Sequence, residues 1–110
     1  MYKGRPKNPT INAQTGTTYA GVAADANNVV TLSNASAITF TVPKNADVPY
    51  PLGTRIEIRQ IGAGQVTVVG DTGVTVNSRG GALKLYGQYS AAVLEKAGTN
   101  LWYLDGDITA

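Results

Sequence analysis

Two residue types that are central to enzymatic acid–base and nucleophilic chemistry are missing from this chain of 110 residues. It contains no histidine and no cysteine. Disulfides, thiol chemistry, zinc sites built on these side chains and histidine-dependent catalysis are therefore excluded. The serines have no histidine to activate them. The sequence predicts a protein that is not an enzyme and that needs no cofactor.

Carboxylates are the remaining candidates for acid–base or metal chemistry. Asp71 precedes Thr72 in a predicted turn, where an aspartate side chain accepts a hydrogen bond from its own backbone. Asp105 and Asp107 flank a glycine, a spacing that could contribute to a calcium site. The further oxygen ligands of a recognised calcium loop are lacking, so turns are the favoured interpretation and no metal site is predicted.

Positive charge is concentrated at the N-terminus. The chain has nine basic and seven acidic residues, and three of the basic ones are Lys3, Arg5 and Lys7. The remainder lacks the clustered positive charge of nucleic-acid-binding proteins, so no specific nucleic-acid partner is predicted. No apolar stretch approaches the ~20 residues of a membrane span, and no signal peptide follows Met1. The sequence predicts no membrane partner and synthesis in the cytoplasm.

One predicted strand carries an alternating charged row. Arg55, Glu57 and Arg59 alternate with two isoleucines, so the strand has one charged and one apolar face. Such a row is either a solvated surface with weak ion pairs or the salt-bridge register of an interface.

Aromatic residues near the C-terminus indicate a second buried face. Trp102 and Tyr103 are neighbours on one predicted strand and therefore point to opposite faces, and Tyr89 lies on the neighbouring predicted strand, residues 88–96. A small sandwich supplies one core, so the other face is expected to meet a second copy or another protein. The alternative is a central strand buried on both sides within a monomer. Together with the N-terminal basic residues and the charged row, Tyr89, Trp102 and Tyr103 complete the candidate interface residues.

The elements that must position these residues are short strands. From residue 29 onward, alternating segments are bounded by Gly, Pro, Asn or Asp at a spacing of roughly 8 to 12 residues. This pattern predicts an all-β fold, a small antiparallel sandwich or barrel of jelly-roll type, over residues 29–110. Similar stretches at 64–68 and 73–76 suggest a β-helix but are too few for a solenoid. Residues 1–28 lack a sustained period and predict an extended basic arm.

Six ordered stretches carry a resemblance to a known family: residues 30–43, 50–54, 61–67, 74–78, 83–90 and 102–107. They resemble a small β module of tailed-bacteriophage virion proteins, which forms the C-terminal domain of minor tail or tail-fibre proteins and also occurs in short proteins attached to the capsid or tail. The similarity covers about residues 28–110. It carries no catalytic residues.

The resemblance implies a non-enzymatic structural protein of the virion, made in the cytoplasm of the host bacterium. A short arm ahead of a compact domain favours a capsid-decorating or head-surface protein that is anchored by its arm. The expected partners are further copies of the chain, with a trimer favoured, and another virion protein such as the major capsid protein or a tail protein. The alternative is a minor tail or tail-fibre tip module that binds a host receptor or carbohydrate, which the tyrosine and tryptophan content supports.

Overall fold

Two β-sheets packed face to face make up the protein in a computed structural model that describes residues 8–110. The described residues contain eleven strands and two short 3-10 turns, Ala23–Asp25 and Arg79–Gly81. No helix among them could cross a membrane. The strands are β1 (Ile11–Gln14), β2 (Thr18–Ala20), β3 (Val29–Leu32), β4 (Ile38–Val42), β5 (Arg55–Gln60), β6 (Val66–Gly70), β7 (Thr75–Ser78), β8 (Lys84–Leu85), β9 (Ala91–Gly98), β10 (Leu101–Gly106) and β11 (Ile108–Thr109).

The larger sheet has six strands in the order β1-β3-β5-β9-β10-β7, and the smaller has five in the order β11-β8-β6-β4-β2. Alternation along each strand decides which side chains enter the core between the sheets. The six-stranded sheet contributes Ile56, Ile58, Leu94 and Leu104, among others, and the five-stranded sheet contributes residues such as Phe40. The predicted all-β sandwich is confirmed.

Strand pairing differs from the predicted antiparallel, jelly-roll type throughout the N-terminal half and again between β7 and β10, which pair in parallel. Strands β1, β3 and β5 pair in parallel in one sheet, and β2, β4 and β6 pair in parallel in the other. The chain crosses to the opposite sheet at each of these connections instead of turning back, so it winds three times like a flattened solenoid. Antiparallel pairing begins where β8 and β9 join β6 and β5, and it continues between β9 and β10.

Stacked turns form one corner of this winding. The Asn34 side-chain nitrogen donates to the carbonyl of Thr15 in the turn of the first coil (2.8 Å). In the third coil, the backbone nitrogen of Gly64 donates to the carbonyl of Asn34 (2.8 Å). A Cβ atom at Gly64 would lie 1.8 Å from the backbone oxygen of Ser36, so only glycine fits here. The three coils are therefore held in register through their corner as well as through their strands.

The boundary between arm and domain also differs from the prediction. Residues Ile11–Gln14 and Thr18–Ala20 fall within the predicted arm, and they are extended, but they form the outermost strands β1 and β2 of the two sheets. Backbone pairing with β3 and β4 holds them in place. Edge strands this short have little periodicity of their own, and the polar inward side chains of β1 do not resemble a core strand.

Candidate interaction surface

The side of the six-stranded sheet that faces away from the core is called the outer face here. Strand β5 presents Arg55, Glu57 and Arg59 on it, because Ile56 and Ile58 point into the core. Pairing of β5 with β3 and β9 places Glu57 between Val29 and Val93. The outer face thus combines a central charged row with apolar side chains on both sides of it.

Ion pairs link the charged residues of the outer face. An Arg55 guanidinium nitrogen lies 3.2 Å from a Glu95 carboxylate oxygen across β5 and β9, and Arg59 lies 3.9 Å from Glu57 along β5. All four side chains remain about 40% or more exposed. Pairs this exposed contribute at most about 1 kcal/mol each, so a partner protein could replace them at little cost.

Strand β10 separates the two aromatic candidates. Tyr103 is 41% exposed on the outer face, between Glu95 of β9 and Asn77 of β7. Trp102 is 1% exposed and packs inside the core, with its ring perpendicular to that of Tyr50 at a centroid distance of 5.5 Å. The prediction that Trp102 is an interface residue is therefore wrong. Trp102 points to the same face of the strand as Leu104, and that face lies in the core.

A shallow depression of about 220 Å³ lies on the outer face next to the charged row. Arg55 and Glu57 form part of its wall. Its other lining residues are Pro9, Asn27, Asn28, Val29 and Val93. A side chain of a partner protein can insert into this depression.

Tyr89 lies at one end of the outer face, in the loop before β9 and not on the strand that the sequence predicts for residues 88–96. Its side chain is 65% exposed, and its backbone has φ = 71°, a conformation that is unusual for a tyrosine. Its carbonyl oxygen accepts a hydrogen bond from Arg59 (2.8 Å), and its amide nitrogen donates to Gln60 (2.7 Å). Ser90 further fixes the loop, because its hydroxyl donates to Asp107 (2.8 Å). The loop therefore presents the exposed ring of Tyr89 on a backbone that is fixed by hydrogen bonds.

The structure thus brings Arg55, Glu57, Arg59 and Tyr103 together on one face, with Tyr89 at its end. Lys3, Arg5 and Lys7 lie outside the described residues.

A buried polar cluster that the sequence did not predict lies inside the first coil. Asp25 is 2% exposed and accepts hydrogen bonds from the Tyr19 hydroxyl (2.6 Å), the Asn12 side chain (3.1 Å) and the Val22 backbone (3.0 Å). Burial raises the pKa of Tyr19, with smaller contributions from the hydrogen bond to Asp25 and from its charge. Tyr19 therefore keeps its proton and remains a donor. Three donors fixed by the fold surround the Asp25 side chain, and these hydrogen bonds connect β1, β2 and the 3-10 turn of the first coil.

Lys96 is a second buried polar residue that the sequence did not single out. It is 2% exposed and shares its inward parity on β9 with Ala92 and Leu94. Its ammonium nitrogen donates to Asn45 Oδ1 and to the carbonyl oxygen of Tyr50. Both contacts are to the connection between β4 and β5. The alternation Ala92, Leu94, Lys96 was the signal in the sequence that could have placed this lysine inside.

Residues 8–110 contain no group of three or more acidic, histidine or cysteine side chains that could hold a metal ion. Of the two aspartates near the C-terminus, Asp105 is exposed and Asp107 accepts the Ser90 hydrogen bond. Comparisons of the chain with models of protein families, with curated proteins and with solved structures give no match.

Proposed function

We propose that this protein is a non-enzymatic structural protein of a bacteriophage virion, which decorates the capsid as a homo-oligomer. The observation that carries the proposal is the outer face, where exposed ion pairs lie beside Val29, Val93 and Tyr103. The assignment to a virion rests on the resemblance of the ordered stretches within residues 28–110.

A second copy of the chain is the partner that the charges of the outer face fit best. Arg55, Glu57 and Arg59 alternate in sign along β5, and Glu95 lies beside Arg55 on β9. A second copy can therefore offer a carboxylate to each guanidinium and a guanidinium to each carboxylate. The aromatic ring of Tyr103 supplies an apolar anchor beside these pairs, the type of residue that dominates interface energies. The proposed oligomer is closed, so that the same patch is buried on every copy, and its threefold order rests on the resemblance alone.

Attachment to the particle is proposed to use Lys3, Arg5 and Lys7, which concentrate positive charge ahead of β1. Replacing all three with glutamine removes this charge without altering the sequence of residues 8–110. The proposal predicts that antibody against the protein labels the capsid of purified particles, and that the triple variant is lost from them. Label that is absent from particles altogether would contradict the proposal. A triple variant that is retained normally would contradict the role of the basic residues.

A receptor-binding module at the phage tail is the second candidate function. Tyr86 and Tyr89 are 68% and 65% exposed in one loop, and exposed aromatic rings are suited to stack on sugars. Antibody label on the tail, together with binding of the isolated protein to host glycans that Tyr89→Ala abolishes, would favour this function over capsid decoration.

A further inference from the structure

Lys96 is a buried amine without a charged partner. Its ammonium nitrogen lies 2.5 Å from Asn45 Oδ1 and 2.7 Å from the carbonyl oxygen of Tyr50. Neither salt bridge among residues 8–110 involves Lys96, and residues 1–7 contain no aspartate or glutamate. A buried cation that only neutral groups contact is costly. Burial accordingly lowers the pKa of Lys96, which favours the neutral, nucleophilic amine.

The amine lies within reach of the side-chain amide carbon of Asn45. Nζ is 2.5 Å from Oδ1, and the C=O bond adds about 1.2 Å, so at most about 3.7 Å separates Nζ from Cγ. Reacting atoms in a near-attack arrangement are separated by roughly 3–3.5 Å. The upper bound on the distance between Nζ and Cγ is therefore close to this range.

Both reacting residues are held by their backbones. The backbone amide nitrogen of Asn45 donates a hydrogen bond to Asn100 Oδ1 (2.8 Å). Lys96 donates its backbone amide to Thr54 (2.9 Å) and accepts a bond from Gly53 (2.8 Å). Fixed neighbours of this kind make an intramolecular reaction far more favourable than the same reaction between free groups.

We propose that Lys96 and Asn45 form an intramolecular isopeptide bond. The lone pair of the neutral amine attacks Cγ of Asn45, a bond forms between Nζ and Cγ, and the bond between Cγ and Nδ2 breaks. The attacking nitrogen gives up a proton to the leaving nitrogen, which departs as ammonia. No oxidant, reductant or co-reactant is consumed. The amide that results keeps one hydrogen on Nζ, which can still be donated to the carbonyl oxygen of Tyr50.

The bond would tie the connection between β4 and β5 to the middle of the larger sheet. Such a cross-link restricts the unfolded chain in the same way as a disulfide, and this chain has no cysteine with which to make one. The inference does not depend on the proposed virion role.

Mass spectrometry of the purified full chain tests the proposal directly. The intact mass under denaturing conditions is expected to be lower than the sequence mass by one ammonia. Trypsin does not cleave after an acylated lysine, so the digest should contain residues 45–55 joined to residues 85–110. The full sequence mass would overturn the proposal. A loss of ammonia without the joined peptides would also overturn it, because an asparagine elsewhere would then be the source.

Variants separate the cross-link from an ordinary hydrogen bond. Asn45→Ser keeps an oxygen near Nζ but has no carbonyl carbon to attack. It should show its full sequence mass, separate peptides and a lower melting temperature. Asn77→Ser, on an exposed position of β7, is the matched control and should retain both the loss of ammonia and the joined peptides. A joined peptide that persists in Asn45→Ser would overturn the assignment of the reacting residue.

Discussion

Buried polar side chains make the hydrogen bonds that fix the local structure of this protein, and they are also the residues that the sequence analysis did not single out. Asp25 closes the first coil of the winding, and Lys96 holds the connection between β4 and β5 against the larger sheet. Among the described residues, Ser78 Oγ is the one buried side-chain polar atom without a hydrogen-bond partner. Nearly all buried polar side-chain atoms of the described residues therefore have a hydrogen-bond partner. If one partner is removed, the remaining polar atoms stay buried without a hydrogen bond, which is unfavourable.

Asp25→Ala should be strongly destabilising. The substitution leaves the Tyr19 hydroxyl, the Asn12 amide and the Val22 backbone nitrogen without their shared acceptor. We expect a loss of about 2–4 kcal/mol in the free energy of unfolding, measured by urea titration. The matched control is Asp47→Ala, an exposed position that should change stability by no more than about 0.5 kcal/mol. Equal effects of the two substitutions would show that the buried cluster is not a constraint.

For single residues, the sequence could predict which face a side chain points to on a clearly alternating strand. It could not predict the position of side chains outside such strands. The alternation of isoleucines with Arg55, Glu57 and Arg59 placed the charged row outside, and the structure agrees. Trp102 and Tyr103 were correctly set on opposite faces, but only the packing of Leu104 shows which one is inside. The role of Asp25 depends on Asn12 and Tyr19, which come from two different strands, so no local pattern could reveal it.

Strand positions follow from the sequence, whereas strand partners do not. Alternation and turn residues predict a series of short strands from residue 29 onward, since both signals are local. Whether the next strand turns back beside its predecessor or crosses to the other sheet depends on contacts between distant turns. The corner of Thr15, Asn34 and Gly64 joins residues that are far apart in sequence. The parallel winding was therefore not predictable from the periods alone.

Gly64→Ala tests this winding. The new Cβ atom would lie 1.8 Å from the backbone oxygen of Ser36, and a backbone atom cannot move aside without shifting the second coil. We expect a loss of roughly 3 kcal/mol in the free energy of unfolding, measured by chemical denaturation. Gly87→Ala is the control, because nothing lies within 4 Å of a Cβ atom there, and its effect should stay within about 0.5 kcal/mol. A Gly64→Ala protein as stable as the control would contradict the stacked corner.

On the scale of the whole molecule, the two sheets bury one core and leave the outer face of the larger sheet exposed. Tyr103 is half-exposed on this face, and the ion pairs beside it are solvated. We propose that further copies of the chain cover the outer face, and the proposed virion role depends on such an assembly. The sequence indicated a face that needs a partner from the two-sided apolarity of β10, but it could not show which residues of the other strands share that face.

The mass of the protein in solution, measured by light scattering across a range of concentrations, tests self-association through the outer face most directly. The unmodified protein should have three times the chain mass of 11.4 kDa. Tyr103→Lys should dissociate it without unfolding it, because the aromatic anchor is lost while the new ammonium pairs with Glu95 on the neighbouring strand. Tyr86→Lys, at an exposed position that follows β8 of the smaller sheet, should leave the mass unchanged. An unmodified protein that stays monomeric at every concentration, or a Tyr103→Lys variant that keeps the full oligomeric mass, would contradict the proposal.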